Sequence, residues 1–551
     1  MKKRVLFIFL IVFAASRLQA QINKVELLSK KVAQYDRADF SISLTGTWEN
    51  PYFQEQVALD MALTSPSGKE LALPCFYVSG ESRKMSQWAA RFTPQEPGKY
   101  QCQFRFSENG EVIDVSDKFY FDSKPSRLKG FLHVRNNWML EFDNGVPFRG
   151  VALNLCWESR TNDDSKFFKE LHEKHEKYNY DYLVPLFARN GGNFCRVWMC
   201  SWNFPIDRKN NFNNHRYVSS DEYFNPSAVA KLDQFVELCK KENVYVMLCM
   251  EQGDVRADHN FFVSDEAKIR YKNRLRYIVA RWGYSPNIAM WELFNEIDNI
   301  QYRQQGKPIP TKDIVAWHTE MSEYLRELDP FQHIRTTSIS HRDLEGLNSI
   351  PGIDINQKHI YKNTSGIPGE IEKYEKEFGK PYVIGEFGYE WDWSKNFDEF
   401  ADGMDFDFKR GLWYGLFTST PVSPMSWWWE YFEDRNLIPY FRGVREINDL
   451  MLKSGNSDFK KLNVYAEGLE TYGVQCGEMV FVYVLNQSDE TVTSSIHIEM
   501  TTPEKLNLKS FQPSSLKSVT QRIVGQSNGV VVIGSGKIDA KEDLVFILSG
   551  K

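Results

Sequence analysis

The sequence predicts an α/β protein built on a (β/α)8 TIM barrel, with a β-sandwich before it and a β-domain after it. Eight short apolar runs alternate with amphipathic helical patterns between residues 148 and 452, as this barrel requires. Segments that alternate apolar and polar residues, separated by turn residues, occupy both flanks of that region. The length of 551 residues suffices for one barrel-sized domain and two smaller companions. An open doubly wound sheet is the alternative, but it gives no reason for eight strand–helix units.

Composition excludes several classes of protein. Apolar residues make up 42% and charged residues 25%, which indicates a folded globular chain. The 67 basic and 73 acidic residues leave a net charge of −6, so we expect no nucleic-acid partner. No apolar run reaches the roughly 18–20 residues of a membrane span. Aromatic residues make up 15%, which is typical of surfaces that stack on sugar rings and equally of a large aromatic core.

The N-terminus has the features of a signal peptide over residues 1–20. Lys2, Lys3 and Arg4 form a positive segment, residues 5–15 are apolar, and Ala20 is a small residue at the cleavage position. We therefore expect a protein exported to the periplasm or the extracellular space, acting as a monomer. Export permits disulfides, yet eight cysteines are few for this length, and the pairing of Cys75 with Cys102 stays open.

Changes in pattern place the domain boundaries. Residues 21–124 contain short strands with Pro-Gly and Ser-Gly breaks, the spacing of an immunoglobulin-like β-sandwich. Residues 125–455 contain the barrel, and residues 456–551 return to alternating strands, which predicts a C-terminal β-sandwich. The predicted barrel strands are, in order, FRGVALNLCW, GGNFCRVWM, NVYVMLCME, NIAMWELFNE, HIRTTSIS, INQKHIY, PYVIGEFG and PMSWWWEYF.

Glutamates follow several predicted barrel strands, at the end of the barrel where this fold places its chemistry. They are Glu158, Glu251, Glu296, Glu386 and Glu430. Glu296 follows Asn295 at the end of strand four, and Glu386 lies in the run GEFG of strand seven. Both follow apolar runs, so we expect burial to raise a carboxyl pKa there, as a general acid requires. No metal-ligand or cofactor motif accompanies them, so we expect neither a metal nor a cofactor.

Several short motifs together resemble glycoside hydrolase clan A, the retaining glycosidases built on (β/α)8 barrels. The run WELFNE at 291–296 resembles the strand-four signature of that clan, and GEFG at 385–388 resembles its strand-seven signature. Arg196 after strand two, His359-x-Tyr361 after strand six and the tryptophans 427–429 of strand eight fit in the same order. The resemblance covers roughly residues 148–455 and is closest to family five and its β-mannanase-like members.

The resemblance implies roles for the matching residues. Glu296 would be the acid/base, and Asn295 would hydrogen-bond the sugar 2-hydroxyl. Glu386 would be the nucleophile, kept ionised by Arg196 and by a hydrogen bond from Tyr361. His359 would lie against the acid/base or the substrate.

Strand geometry leaves some of these roles open. Strict alternation puts Asn295 and Glu296 on opposite faces, so both can act only if the strand end twists or bulges. Glu292 lies deeper on the Glu296 face, and we interpret it as structural. Arg196 can instead be a buried salt bridge, and His359 a core histidine.

Tryptophans near the strand ends are candidate sugar platforms. Trp427 and Trp429 share a face, and one of them is expected to form the floor of the sugar site, with Trp428 facing the helices. Trp157 and Trp198 are further candidates, although each can equally be packing.

The leading prediction is an exported retaining β-glycosidase that acts on a β-linked polysaccharide or oligosaccharide by a two-glutamate double displacement. A mannanase-like activity comes first, and a β-glucanase or another clan A glycosidase second. A non-catalytic carbohydrate-binding protein and a structural surface protein are the alternatives from other classes. Sugar identity, linkage and endo or exo action depend on loop shapes that the sequence does not fix.

Overall fold

The computed structural model describes residues 20–160, 178–212, 214–253, 257–303, 307–389, 399, 401–456, 458–500, 505–527 and 529–550. The expected signal peptide therefore lies outside the described residues, except for its last position. The chain divides after Pro125 into two compact units, residues 1–125 and 126–551. Within the described ranges, no helix is both long and apolar enough to cross a membrane.

The first unit consists of two antiparallel sheets. Its strands are β1 (Gln21–Leu27), β2 (Val32–Ala33), β3 (Ala38–Thr45), β4 (Val57–Thr64), β5 (Glu70–Pro74), β6 (Phe76–Ser79), β7 (Met85–Phe92), β8 (Gly98–Glu108), β9 (Glu111–Val115) and β10 (Phe119–Lys124). One sheet has the order β1-β3-β7-β6 and the other β2-β10-β8-β4-β5, with β9 beside β8 and β2 parallel to β10. Every second residue of β3 is buried, as expected for a sheet with one face on the core.

Aromatic side chains fill the space between these two sheets. The Phe40 ring lies 5.8 Å from the Phe104 ring and 5.6 Å from the Phe121 ring, centre to centre. Cys75 and Cys102 are both buried as thiols, and the disulfide that the sequence left open is not formed. Burial raises the pKa of the Cys102 thiol to about 12.

The second unit begins with a small antiparallel sheet of β11 (Leu132–Asn136), β12 (Met139–Phe142) and β13 (Pro147–Phe148). Its apolar side chains pack in one core cluster with residues at the amino ends of the parallel strands that follow. Leu140 and Phe142 meet Phe194, Met247 and Val383 in this way. The amino ends of the parallel strands are thus covered by a compact apolar layer, which leaves the carboxyl ends for polar groups.

Seven parallel strands and one closing segment form the centre of the second unit. The strands are β14 (Ala152–Asn154), β15 (Phe194–Trp198), β16 (Tyr245–Cys249), β17 (Ile288–Glu292), β18 (Ile334–Thr336) continued by β19 (Ser338–Ile339), β20 (Asn356–Tyr361) and β21 (Tyr382–Gly388). Each pairs in parallel with the next along the chain. Nearly every residue in them is buried, because the strands have helices outside and packed side chains inside.

Residues 422–426 close this row of strands into a ring. Phe387 donates its backbone N–H to the carbonyl of Met425 at 3.0 Å, which joins the segment to β21. On the other side Ser423 donates to the carbonyl of Gly150 at 2.8 Å, and Leu153 forms a parallel bridge with Ser426. Eight parallel members in chain order are the arrangement of a (β/α)8 barrel.

Helices cover the outside of the ring. They are α1 (Tyr180–Arg189), α2 (Pro226–Glu242), α3 (His259–Val263), α4 (Asp265–Trp282), α5 (Ile297–Tyr302), α6 (Thr311–Leu328), α7 (Ile367–Phe378), α8 (Ala401–Leu416), α9 (Trp429–Asp434) and α10 (Phe441–Gly455). Helix α2 shows why they begin and end where they do. The Asn225 side chain accepts from the first free amides, Pro226 takes the first helical position, and Asn243 ends the helix with φ of 58°.

The C-terminal part of the second unit is a pair of antiparallel sheets. Its strands are β22 (Phe459–Leu462), β23 (Val464–Tyr465), β24 (Glu470–Cys476), β25 (Met479–Leu485), β26 (Val492–Glu499), β27 (Leu506–Phe511), β28 (Arg522–Ser527), β29 (Val530–Ile538) and β30 (Asp543–Gly550). The orders are β22-β24-β25-β30-β27 and β23-β26-β29-β28. Valines and other aliphatic residues from both sheets, such as Val482 of β25 and Ile533 of β29, share one core.

Helix α8 joins this C-terminal sandwich to the barrel. The Trp413 ring stacks on Tyr483 of β25 with centres 5.7 Å apart, and the Tyr414 hydroxyl donates to Glu470 at 2.6 Å. These contacts explain why residues 126–551 form one compact unit.

Candidate active site

The backbone leaves regular strand geometry just before Glu296. Strand β17 ends at Glu292, and Glu296 has φ of 45° and ψ of 52°, in the left-handed region that a non-glycine residue rarely adopts. Its backbone N–H donates to the Ser338 hydroxyl at 2.9 Å. The alternation of the strand no longer applies there, so the side chains of Asn295 and Glu296 reach the same site. This is the departure from strand geometry that the sequence analysis required for both residues to act.

Arg196 is the centre of the buried polar network. The side chain is completely buried on β15, and its Nε and Nη2 donate to the two carboxylate oxygens of Glu292 at 2.6 and 2.7 Å. Nη1 donates to Glu386 Oε1 at 2.6 Å, and Nη2 also donates to Asn295 Oδ1 at 2.7 Å. Arg196 therefore forms the buried salt bridge that the sequence offered as an alternative and at the same time contacts the candidate nucleophile.

Glu386 lies on β21, and each of its carboxylate oxygens accepts a hydrogen bond, one of them from a positively charged group. The Tyr361 hydroxyl donates to its Oε2 at 2.6 Å, while Arg196 occupies Oε1. Asn154 of β14 donates to the backbone carbonyl of the preceding Gly385 at 3.0 Å, which fixes the end of β21. The carboxylate is thus held in one orientation, with the side chain only 4% exposed.

His359 contacts both candidate carboxylates. Its Nδ1 lies 2.9 Å from Glu296 Oε1 and 3.4 Å from Glu386 Oε1. Ligand atoms of these three residues all lie within 4.8 Å of one another, a spacing that could also hold a metal ion. However, Arg196 and Tyr361 already occupy the two oxygens of Glu386, so a cation there would have to compete with a guanidinium.

The pKa shifts of the two glutamates differ in direction. Burial raises the pKa of Glu386, and the positive charges of His359 and Arg196 reduce that shift without cancelling it. Burial also acts to raise the pKa of Glu296, but hydrogen bonds from His359, Asn299 and Ser340, with the charge of His359, lower it to about 2. The expectation that burial raises the pKa is therefore wrong for Glu296, because donors surround its carboxylate.

Five tryptophans cluster beside this polar centre. They are Trp157, Trp198, Trp202, Trp427 and Trp429. The Trp157 and Trp427 side chains are half-buried, whereas Trp429 is only 2% exposed. The guanidinium of Arg196 lies 5.5 Å from the Trp198 ring centre, so the cluster borders the carboxylates. Among the described residues, the indole N–H groups of Trp198 and Trp429 have no hydrogen-bond partner.

The prediction that the tryptophans 427–429 lie on strand eight is wrong for Trp428 and Trp429. The last bridge to β21 is at Ser426, and Trp427 still donates its backbone N–H to the Phe387 carbonyl at 3.0 Å. Trp428 has φ of 64°, a turn conformation. Trp428 does not follow the expected orientation toward the helices either, because its indole Nε1 donates to the Tyr389 carbonyl just after β21 at 3.0 Å. Trp427 and Trp429 do come together, with ring centres 5.3 Å apart.

Gln357 and Asn299 are members of the site that the sequence analysis missed. Gln357 donates to Glu292 Oε1 at 2.9 Å from β20, and Asn299 donates to Glu296 Oε2 at 2.9 Å from α5. The signal for Gln357 was present, because a polar amide in an otherwise buried strand needs a partner. Asn299 gave no such signal, since an asparagine in a short polar segment is ordinary.

Two family models match the chain. Residues 31–107 match a domain of unknown function, DUF5060, within the first unit. Residues 160–432 match the model described as cellulase, glycosyl hydrolase family 5, a range that contains strands β15 to β21, the closing segment and the two candidate carboxylates. This match supports a clan A glycoside hydrolase that resembles family 5.

Curated relatives share part of this region. The mannan endo-1,4-β-mannosidase A of Podospora anserina is 26% identical over 216 residues, 32% of this chain and 56% of that protein. The protein of the same name from Aspergillus aculeatus is 28% identical over 158 residues, 24% of this chain and 40% of its own. The chain thus matches about half the length of these relatives.

A solved structure has a similar fold. It comes from Bacteroides vulgatus and is named only provisionally as a glycoside hydrolase. It covers 95% of this chain and 100% of its own, with 14% identity and a TM-score of 0.64. At this identity the likeness concerns the fold alone, a TIM barrel with a β-rich N-terminal domain.

Proposed function

We propose that the protein is an exported retaining β-glycoside hydrolase in which Glu386 is the nucleophile and Glu296 the acid/base. One observation carries this proposal: an oxygen of each carboxylate lies within 4.8 Å of the other, with His359 touching both. Retaining enzymes hold their carboxyl groups roughly 5–5.5 Å apart, whereas inverting enzymes leave about 6.5–9.5 Å for a water. The spacing supports double displacement.

The proposed reaction has two steps. Glu386 attacks the anomeric carbon while Glu296 gives its proton to the leaving oxygen, and a covalent glycosyl-enzyme forms. Glu296 then takes a proton from a water that displaces Glu386. Arg196 and Tyr361 stabilise Glu386 each time it carries a negative charge.

The proton must reach Glu296 before the first step. In the unliganded site the pKa of Glu296 is lowered and that of Glu386 is raised, the opposite order to the one that the first step needs. His359 Nδ1 lies within reach of both carboxylates and offers a path by which the proton changes place.

The proposed substrate is a β-mannan, cut within the chain. Support comes from the relatives, which are named as mannan endo-1,4-β-mannosidases. The tryptophan cluster supports a polymeric substrate, because indole faces pack on sugar rings. A β-glucan is the second candidate, favoured by the match to a cellulase model.

A non-catalytic sugar-binding role is the alternative from another class. Binding alone gives no reason for a guanidinium, a phenol and an imidazole to converge on two carboxylates. We assign the chemistry to the barrel, residues 125–455, and none of it to the β-domains 21–124 and 456–551. Export rests on the sequence of residues 1–20, and we propose a monomer without nucleic-acid or membrane-spanning partners.

The test is hydrolysis of purified β-mannan, glucomannan, β-glucan and xylan, with product sizes and the anomeric configuration followed by NMR. We expect internal cleavage of mannan and first release of the anomer present in the substrate. Release of the opposite anomer would reject the mechanism, and the absence of any hydrolysis would favour the binding role.

Variants of the two glutamates test the roles. Glu386→Ala should lose turnover and regain part of it with azide or formate, giving the inverted product, because the anion fills the space of the carboxylate. Glu386→Gln is the matched control, since the retained amide leaves no room for the anion and no rescue is expected. Glu296→Ala should spare aryl glycosides with good leaving groups, which need little protonation.

A further inference from the structure

The candidate acid/base has a hydrogen-bond partner on each carboxylate oxygen. His359 Nδ1 lies 2.9 Å from Oε1, and Asn299 Nδ2 donates to Oε2 at 2.9 Å. The two partners differ in kind. An amide nitrogen can only donate, whereas an imidazole nitrogen can donate or accept according to its tautomer.

The orientation of the Asn299 amide is fixed from its other side. Arg342 Nη2 donates to Asn299 Oδ1 at 3.3 Å and to the Asp298 carbonyl at 3.1 Å. Its guanidinium also lies 4.3 Å from the Tyr302 ring centre, which holds it over helix α5. With its oxygen bound to Arg342, Asn299 must present its NH2 group to Glu296.

Asp298 ties the two halves of this arrangement together. Its completely buried carboxylate accepts from the backbone N–H groups of residues 340–342 at 2.7, 2.9 and 3.0 Å. The segment that follows β19 and carries Arg342 is thereby fastened to α5, which carries Asn299. The hydrogen bond from Asn299 to Glu296 is therefore supported by two chain segments, α5 and residues 340–342, and does not depend on one flexible side chain.

We propose that Asn299 is a positioning residue for Glu296, whose amide directs the catalytic proton to Oε1, and that Arg342 sets the orientation of that amide. This inference rests on the proposed function of Glu296. A carboxylic acid accepts a hydrogen bond best on its carbonyl oxygen, so donation to Oε2 leaves the O–H on Oε1. Oε1 of Glu296 is the oxygen that faces Glu386, because this atom and Glu386 Oε1 both contact His359 Nδ1.

Other charged and titratable groups face Glu296 and must be considered in any titration. His359 and Tyr361 face it from β20, and Glu386 faces it from β21. Arg342 and Asp298 lie behind Asn299. Among the described charged groups, His359 alone makes a direct side-chain hydrogen bond to Glu296, and the neutral Ser340 hydroxyl makes another. Neither bond is removed by the loss of the Asn299 donation, so its effect is separable from theirs.

The first experiment measures the Glu296 carboxyl directly by NMR titration of protein carrying ¹³C-labelled glutamate, assigned by comparison with Glu296→Gln. Removing a donor from a carboxylate destabilises the ionised form, so Asn299→Leu should raise the pKa by about one unit. Arg342→Gln should raise it less, because the amide can then rotate. Arg342 is 44% exposed, so this variant should fold even if Asn299→Leu does not.

The second experiment measures kcat/KM against pH on an oligosaccharide and on an aryl glycoside with a good leaving group. Asn299→Leu should move the acidic limb upward by about one pH unit and lower kcat for the oligosaccharide more than for the aryl glycoside. Arg445→Gln is the matched control for Arg342→Gln. It removes a comparably exposed arginine, paired with Asp449 on α10, and should leave the profile in place.

The two proposals fail in different ways. If the wild type hydrolyses nothing, the proposed function fails while the titration still reports on Asn299. If the wild type is active and folded Asn299→Leu and Arg342→Gln keep the wild-type titration and profile, the positioning role is refuted. A shift that appears equally in Arg445→Gln would also refute it.

Discussion

Replacing Arg196 with methionine separates the part of the buried network that stabilises the fold from the part that serves the reaction. The variant loses four hydrogen bonds to three side chains, Glu292, Asn295 and Glu386. Two carboxylates then stay in a site where Glu292 is completely buried and Glu386 is 4% exposed. At least one of them must take up a proton or remain an uncompensated buried charge.

Removing one partner of a buried ion pair costs about 3–5 kcal/mol of unfolding free energy. We expect Arg196→Met to lose stability of that order at neutral pH, and less at about pH 5, where protonation neutralises the remaining carboxylates. The double variant Arg196→Met/Glu292→Gln removes one negative charge as well, and Gln357 can still donate to the new amide. It should recover roughly half of the lost stability.

Activity should not recover in the double variant, because Glu386 still lacks the guanidinium at 2.6 Å. Both variants should lose about 10²–10³-fold in kcat. Urea unfolding followed by tryptophan fluorescence reports mainly on residues 126–551, since only Trp48 and Trp88 precede them. A single variant that loses under about 1 kcal/mol, or a double variant with wild-type turnover, would refute this account.

Three further predictions concern other parts of the molecule. His359→Asn removes a charge that lowers the pKa of both glutamates and a hydrogen bond that lowers the pKa of Glu296. Both limbs of the kcat/KM profile should therefore move to higher pH, and an unmoved acidic limb would contradict this. Burial raises the pKa of Asp543 to about 7, so folding should weaken between about pH 4 and 7 as the unfolded chain loses a proton that the folded chain keeps. Asp543→Asn should therefore be more stable than the wild type by roughly 1–3 kcal/mol at pH 8 and equally stable at pH 4, as measured by calorimetry at both pH values. Equal stability at pH 8 would contradict the raised pKa of Asp543. Trp427→Ala should raise KM about tenfold for a long oligosaccharide and little for an aryl monoglycoside, because a half-buried indole can cover a sugar ring beyond the cleaved bond; an equal effect on both substrates would place Trp427 elsewhere.

The sequence was sufficient to predict which side chains meet at the centre of the site. Arg196, His359 and Glu386 lie on three strands and Glu296 lies just after a fourth. These strands are far apart in sequence, yet parallel strands in a ring bring their carboxyl ends to one edge. Knowing the strand order therefore gave the set of residues without any knowledge of distances. Motif order did the rest, because each short motif alone is weak.

The protonation of the site could not be predicted in this way. Apolar neighbours in sequence indicated burial for Glu296, and burial alone raises the pKa of a carboxyl group. The deciding groups come from other segments: His359 from β20, Asn299 from α5 and Ser340 from the segment after β19. Through-space donors of this kind leave no trace in the local pattern.

The position of the eighth strand was misjudged for a different reason. The tryptophans 427–429 have the strongest apolar signal in that region, so the pattern placed the strand on them. The ring is closed instead by residues 422–426, which contain Pro424 and two serines and therefore lack a strand signature. A closing segment that is held by a few bridges needs little intrinsic strand propensity, since the two neighbouring strands supply its hydrogen-bond partners.

The late position of this closing segment has a consequence for how the protein folds. The bridge between Gly150 and Val422 joins residues far apart in the chain, and the ring cannot close until nearly all of the barrel has been synthesised. Until then the first strand β14 and the seventh strand β21 present free sheet edges, which can pair with other chains. Contacts of such long range form slowly, because loop closure must precede any gain from packing. Folding of residues 126–551 should therefore be limited by closure of the ring, and chaperone protection matters most just before residue 422 emerges.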